Sequence, residues 1–466
     1  MAQSIDSPPP SHNPFEGFSK LERWQRYKRL KELGALTDED IHFLQGGGVK
    51  DFVLAENLIE NVIGYFQLPL GVATNFLIDG KDKVIPMAVE ETSIIAAASK
   101  TAKWVREQGQ ITTELIGQEI IGQIQIARVQ NWKRLAEVVE KLKSQWVELA
   151  NSGVARGLVE RGGGVRAIEL RKVPRGESQE QMAVLHVLAN TCDAMGANII
   201  NQVCEQLKAP IEEATGERVT MCILSNLVDT RVTRAQVLMR GLEPELMEGI
   251  EEGSLFAESD PYRAATHNKG VLNGIDPILI ATGNDWRAVE AGVHAYAAKS
   301  GQYKAVTTWR RQGQELVGVF EAPIVLGTVG GVTRLHPTAQ MCLKMLDVGS
   351  AAELSRICAA VGLVQNLGAL RALTTVGIIE GHMKLHIRNL SLGAGASESE
   401  MPLMQRRLEE ILNLTRRVSL SHAVQALKEL RSGGRPRPEL GSQEAQAVDK
   451  HSTGLSAQAP ETEPCR

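Results

Sequence analysis

The chain has 466 residues, 43% of them hydrophobic and 23% charged, with a formal net charge of −4 at pH 7. That length allows a sizeable buried core and two or three domains, and the charge gives no electrostatic case for nucleic acid, which calls for a basic face. Six scattered cysteines with no C-x-x-C pair argue against a zinc site or a disulfide framework, and the polar, Pro-rich start lacks an apolar h-region, so the setting expected is cytoplasmic.

Residues 1–16 read as disordered. Ser19-Lys-Leu-Glu22 has the capping-box pattern and opens a helix in which Leu21, Trp24, Tyr27, Leu30 and Leu33 share one face. Gly34 ends it, and Thr37-Asp-Glu-Asp40 starts another. Residues 17–117 and 226–375 are expected to make one large, mainly helical domain, interrupted by a small α+β module at 118–225.

Within the module, Trp132 to Leu149 repeats apolar residues at helical spacing, Gly162-Gly-Gly164 breaks the chain, and Ile168–Val173 alternates like a strand. Gln181–Ala189 and Val219–Leu224 read as further strands, with a helix over Asp193–Leu207 between them. Lys304–Trp309 and Leu316–Phe320 form a strand pair joined through Gln312-Gly313. After about 376 comes a helical flap, with Gly393–Ala396 as a hinge-capable linker, and residues 433–466 have the composition of a disordered tail. The longest apolar run, Ala322 to Val332, is about half of a membrane span.

Two stretches carry chemistry. Asp260 to Arg287 gathers Arg263, His267, Asn268, Lys269, Asn273, Asp285 and Arg287 among Gly and Ala. Such groups cost desolvation free energy unless they pair with each other or with a ligand, which makes the stretch a candidate for acid–base work. His186 to Asn198 ends a strand, passes through Gly196 and enters a helix, an arrangement that lets a phosphate approach backbone N–H groups. It is not G-x-G-x-x-G, so a Rossmann fold is disfavoured; a tightly packed strand-to-helix turn is as good a reading of these residues by themselves.

His186, a six-residue gap and Asp193-Ala-Met-Gly-Ala-Asn198 resemble the dinucleotide-site signature of the 3-hydroxy-3-methylglutaryl-CoA reductases. Gly327-Thr-Val-Gly-Gly331, Gly381-His382-Met383, Glu60-Asn-Val-Ile-Gly64 and Leu68–Ala73 resemble other stretches of that family, and Glu90-Glu91 with Thr282–Arg287 is similar to its class II branch. The likeness departs from the family pattern at Thr92, Val376 and Glu380.

The resemblance implies an α+β enzyme with a large acyl-CoA-binding domain, an inserted non-Rossmann nucleotide-binding domain and a C-terminal flap at 376–432. It implies four-electron reduction of hydroxymethylglutaryl-CoA to mevalonate and CoA with two NAD(P)H and no metal. The catalytic positions it carries over are Lys269 against the oxyanion, Asp285 positioning that lysine, Glu91 as proton donor and His382 for the CoA thiolate. Ser93, Arg263, Asn273, Asn366 and Asn226 match substrate-binding positions; a satisfied core polar residue is the other reading of each, and a substantial one for Ser93 and Asn366. Asp193, Met195, Gly196 and Asn198 match the cofactor site. Ala155 stands where NAD-preferring relatives carry Asp, beside Arg156 and before Arg161, and exchanging a carboxylate for cations favours the 2′-phosphate of NADPH. A homo-oligomer with its active site between subunits is implied, one subunit contributing Lys269, Asp285 and Glu91. The direction of net flux stays open, and a silent acyl-CoA-binding protein is the alternative of a different class.

Overall fold

The structure, a computed structural model, describes residues 13–177, 180–375, 387–415 and 417–432. The chain divides into two compact units, Met1–Gly381 and His382–Arg466.

The strands of the first unit are β1 (Leu70–Ile78), β2 (Lys81–Ala88), β3 (Gly109–Ile116), β4 (Glu119–Ile126), β5 (Gly164–Pro174), β6 (Gln181–Asn190), β7 (Met221–Ser225), β8 (Val232–Arg240), β9 (Thr307–Gln312) and β10 (Glu315–Ala322). They form a six-stranded sheet, β2-β1-β3-β8-β10-β9, and a four-stranded sheet, β5-β6-β4-β7. The class is α+β as expected, and the large region lays its helices on the six-stranded sheet. Asp79 and Gly80 close the β1–β2 hairpin, both at positive φ, which is the two-residue turn whose twist matches its strands.

Phe76, Ile85, Met87, Trp309 and Phe320 are buried beneath the helices Ile94–Gln108, Pro261–Ala281 and Ala351–Thr374. The last is long and apolar enough to cross a membrane, yet most of its residues, from Leu354 to Leu370, lie in this core. An amphipathic helix is stabilised mainly by such burial rather than by its own propensity.

The four-stranded sheet has β-α-β-β-α-β connectivity, the split βαβ arrangement of ferredoxin-like folds. Its β6 runs antiparallel between β4 and β5. The helices Trp132–Ser152 and Ala197–Thr215 pack on the face bearing Ile124, Ile126, Leu185 and Val187. This region has its own hydrophobic core but belongs to the same compact unit as the larger sheet.

Several local expectations shift. Order begins before Ser19: Phe15 and Phe18 are buried against Leu30, Leu36 and Met341, and this burial anchors residues that composition marks as loose. The capping box lies at Glu22 and Gln25, since Phe18–Lys20 forms a short 3-10 turn, and the helix is Arg23–Glu32. Thr37 and Asp40 do form the reciprocal cap. The helix expected from Asp193 starts at Ala197, because Cys192 and Gly196 take positive φ and hold the intervening residues in a turn.

In the second unit, the helices Met401–Thr415 and Leu420–Arg431 pack through Met404, Leu408, Ala423 and Leu427. Gly393–Ala396 is a helix terminus rather than a linker: Ala394 N donates to Leu390 O, Ala396 N donates to Ser391 O, and Gly395 takes φ 86°. This is the αL cap that satisfies the last carbonyls of a helix.

Candidate active site

Asp260 caps the Pro261–Ala281 helix, accepting from the backbone N–H groups of Tyr262 and Arg263, and Pro261 occupies the first helical position. That helix carries Arg263, His267, Lys269 and Asn273, and Lys269 reaches the loop that follows β2. There the Lys269 Nζ donates to Glu91 Oε2 at 3.1 Å, joining residues 178 positions apart. Both side chains remain about half exposed, so the pair opens onto solvent.

Two residues after Glu91, Ser93 takes φ 78° as the cap of the Ile94–Gln108 helix, and its buried Oγ has no hydrogen-bond partner among the described residues. A non-glycine residue held in this region costs on the order of 1–3 kcal/mol and persists where surroundings impose it.

Three substrate candidates lie on or against the Pro261–Ala281 helix. Among the described residues the Arg263 guanidinium has no acidic partner, and burial lowers its pKa. Asn273 is half-buried and spends its amide on no described protein group. Asn366 is different: its Oδ1 accepts from Thr307 Oγ1 at 3.0 Å and Trp309 Nε1 at 2.9 Å, and its Nδ2 meets His267 Nε2 at 3.2 Å. It is a core amide with its acceptor filled.

Asp285 does not join Lys269 within the chain. It caps the Trp286–Ala297 helix, its Oδ1 accepting from Ala288 N and Arg287 Nε, both at 3.2 Å. Roughly 18 Å of continuous helix separates Lys269 from Ala281, so the same chain's Asp285, three residues beyond the Thr282 cap, lies past the lysine's reach. His382 lies outside the described residues, as do Val376 and Glu380.

The dinucleotide candidates occupy the junction of the two sheets. Asp193 Oδ1 accepts from Ala351 N, the first residue of the long core helix, at 2.9 Å, and Asp193 O accepts from Thr328 N at 2.9 Å. Gly327 N in turn donates to Asn284 Oδ1 at 2.8 Å, which ties Asp285's neighbour to the same junction. A Cβ at Gly327 would stand 2.7 Å from Met195 N, so only glycine allows that approach. Gly196, at φ 94°, gives the Ala197–Thr215 helix its left-handed cap, with Asn198 exposed in the first turn.

The glycine turn at 162–164 comes to the same place. A Cβ at Gly163 would meet Cys192 Sγ at 2.7 Å, and that thiol lies 3.5 Å from Arg161 O. Arg156 and Arg161 are exposed, Arg156 pairing with Glu160 at 3.1 Å. Ala155, however, is fully buried in the core of the small sheet. Its methyl group is enclosed in that core, and a short helix starts at Arg156.

Asn226, grouped by sequence with the substrate residues, lines a mainly apolar hollow together with Met195, Ile121, Ala288, Val289 and Val325. It therefore neighbours the dinucleotide motif and the helix led by Asp285. The sequence alone assigned no role to Arg231, which is 3% exposed, feels the charge of Asp193 and has an Nε with no partner among the described residues. Nor did it assign one to His267, 2% exposed and held neutral, its pKa lowered to about 4 by burial and the Arg263 charge. Its place in the polar 260–287 stretch was the available signal. No group of three His, Cys, Asp or Glu side chains suited to a metal ion occurs among the described residues.

Comparison with known proteins shows the family. The hydroxymethylglutaryl-coenzyme A reductase family model matches residues 25–387. A 3-hydroxy-3-methylglutaryl-coenzyme A reductase of Archaeoglobus fulgidus is 45% identical over 422 residues, covering 89% of this chain and 94% of the relative. A probable one of Borreliella burgdorferi is 34% identical, covering 81% and 85%. The class II enzyme of Streptococcus pneumoniae, solved bound to NADPH in open conformations, is similar with a TM-score of 0.74 at 36% identity, over 78% of this chain and 100% of that one. A second structure of the Streptococcus pneumoniae reductase gives 0.75 at 37%, over 90% and 100%.

Proposed function

Because the chain belongs to the hydroxymethylglutaryl-coenzyme A reductase family, we propose that it reduces hydroxymethylglutaryl-CoA to mevalonate and CoA, consuming two reduced nicotinamide dinucleotides. The ion pair between Lys269 and Glu91 carries the reading. A fixed ammonium stabilises oxyanion character developing on the thioester carbonyl, and the adjacent carboxyl group delivers the proton that carbonyl oxygen needs. Arg263, with no acidic partner among the described residues, suits the substrate's free carboxylate through its two-pronged donor geometry, and Ser93 Oγ and Asn273 are assigned as further polar groups for the substrate. His382 is assigned to protonate the departing CoA thiolate, chemistry for which imidazole has a suitable pKa.

The dinucleotide supplies the hydride when bound. Support for such a ligand at the junction comes from the helix N-terminus that follows Gly196 and from the buried Arg231 guanidinium, whose Nε has no partner among the described residues. NADPH is the proposed form, supported by exposed Arg156 and Arg161 and by the NADPH-bound relative. Asp285 is assigned to the Lys269 of a second copy, since its own lysine is out of reach. The apolar arm before β1, with Ile63 100% and Phe66 91% exposed, supports a homo-oligomer that covers it.

The test follows absorbance of the reduced nicotinamide after addition of hydroxymethylglutaryl-CoA, with NADPH and NADH in parallel. Turnover is expected with the unaltered chain, faster with NADPH. Lys269→Ala should lower kcat by roughly 10²–10³-fold, with the melting temperature unchanged because the side chain is exposed. Undiminished turnover in that variant would remove the proposed chemistry.

A further inference from the structure

The hydrogen bonds around His267 determine which ring nitrogen carries the proton. Trp309 Nε1 is a donor only, and it donates to Asn366 Oδ1 at 2.9 Å, which fixes the orientation of that amide. The amide nitrogen, also a donor only, therefore faces His267 Nε2, at 3.2 Å. Nε2 must be the bare acceptor, so the proton of the neutral imidazole resides on Nδ1. Thr307 Oγ1 touches both Nε2 and Oδ1 and serves either with its single hydrogen.

That Nδ1–H is buried and has no partner among the described residues. A buried donor left unmet is costly and calls for an explanation in a native structure. Its electrostatic surroundings narrow the choice. Arg263 sits one helical turn before His267, on the same helix face, and its guanidinium has no acidic partner among the described residues. The nearby Glu258 is already held by Arg310 at 2.6 Å and Ser254 at 2.8 Å. Two donors on one face thus lack an acceptor among the described residues, and a single anion would serve both.

We propose that the Nδ1–H of His267 donates to the free carboxylate of the acyl substrate beside Arg263, with Asn366 and Trp309 acting as positioning residues that hold the imidazole in this tautomer. The inference rests on the reductase reading above and assigns Asn366 an indirect part in substrate recognition. His267 would distinguish an acyl-CoA with a terminal carboxylate from one without it.

The experiment uses the full chain and two ligands, hydroxymethylglutaryl-CoA and its analogue with the free carboxylate esterified, with both dissociation constants measured by calorimetry. In His267→Gln the amide reaches the Nε2 position and leaves Nδ1 unreplaced, so preference for the acid over the ester should fall about tenfold. His267→Asn places an N–H near the Nδ1 position and should keep the preference within about threefold of the unaltered chain. Dinucleotide affinity should not change in either variant. Equal losses for acid and ester, an unaltered preference in His267→Gln, or failure of both variants to fold would each overturn the proposal and leave His267 a core residue. Absence of turnover and of acyl-CoA binding in the unaltered chain would instead overturn the reductase reading, and the inference with it.

Discussion

Asp276, on the helix that bears Lys269, has a carboxyl pKa pushed up to about 8, first by burial and then by the charge and hydrogen bond of Glu290. A carboxyl group whose folded pKa exceeds its unfolded value of about 3.9 contributes stability that is complete below that value and lost as pH rises toward 8. His186 and His267 behave oppositely: burial lowers both to about 4, so their contribution is complete above about 6.5 and lost as pH falls. Between pH 6.5 and 8 the histidines are level and Asp276 sets the slope. Urea unfolding should show stability falling by on the order of 1–2 kcal/mol across that window, and Asp276→Asn should flatten it. A flat profile in the unaltered chain would mean that burial and the Glu290 charge do not raise the Asp276 carboxyl. Nothing in the sequence marks Asp276 for this, since its environment is made by Glu290 and the buried Cys358 on other helices.

At the scale of elements, the Gly327–Gly331 segment connects the two halves of the proposed site. Its first residue stands between Met195 and Asn284 and leaves no space for a side chain. Gly327→Ala should raise the KM for the dinucleotide about tenfold or more, because overpacking of this size costs roughly 1–3 kcal/mol, while the small sheet keeps its own core. An unchanged KM would show that the contact does not shape the cofactor site. In the small region β5, β6 and β7 were legible because apolar residues alternate beside turn residues and the helices carry apolar stripes, whereas the sequence reading left β4 unmarked. Nor was β8 legible: Val232-Thr-Arg-Ala-Gln-Val-Leu-Met-Arg240 has helix-forming composition. It becomes a strand because β3 and β10 pair with it on both edges, tertiary context overriding local preference.

For the whole molecule, the exposed arm around Ile63 and Phe66 is the surface that a second copy would cover. Phe66→Glu should leave the fold intact, since the side chain is in solvent in a single chain, yet dissociate the oligomer in sedimentation and lower activity with it. Retention of full assembly by this variant would exclude the arm as the contact. Association would also bring an Asp285 toward a Lys269 that its own helix keeps distant, so activity and assembly should fall together.

The amino-acid sequence determined by itself the family, the α+β class and the candidate side chains, because motifs record residue type and local spacing. It could not determine which of those side chains meet. Lys269 finds Glu91 rather than Asp285, Ala155 turns into a core, and Asn366 commits its amide to Trp309 and His267. Each outcome depends on the length of a helix, the register of a strand or the packing of a distant residue. Only the assembled tertiary structure sets those distances, and hydrogen bonds and ion pairs fall away within a few ångströms of separation.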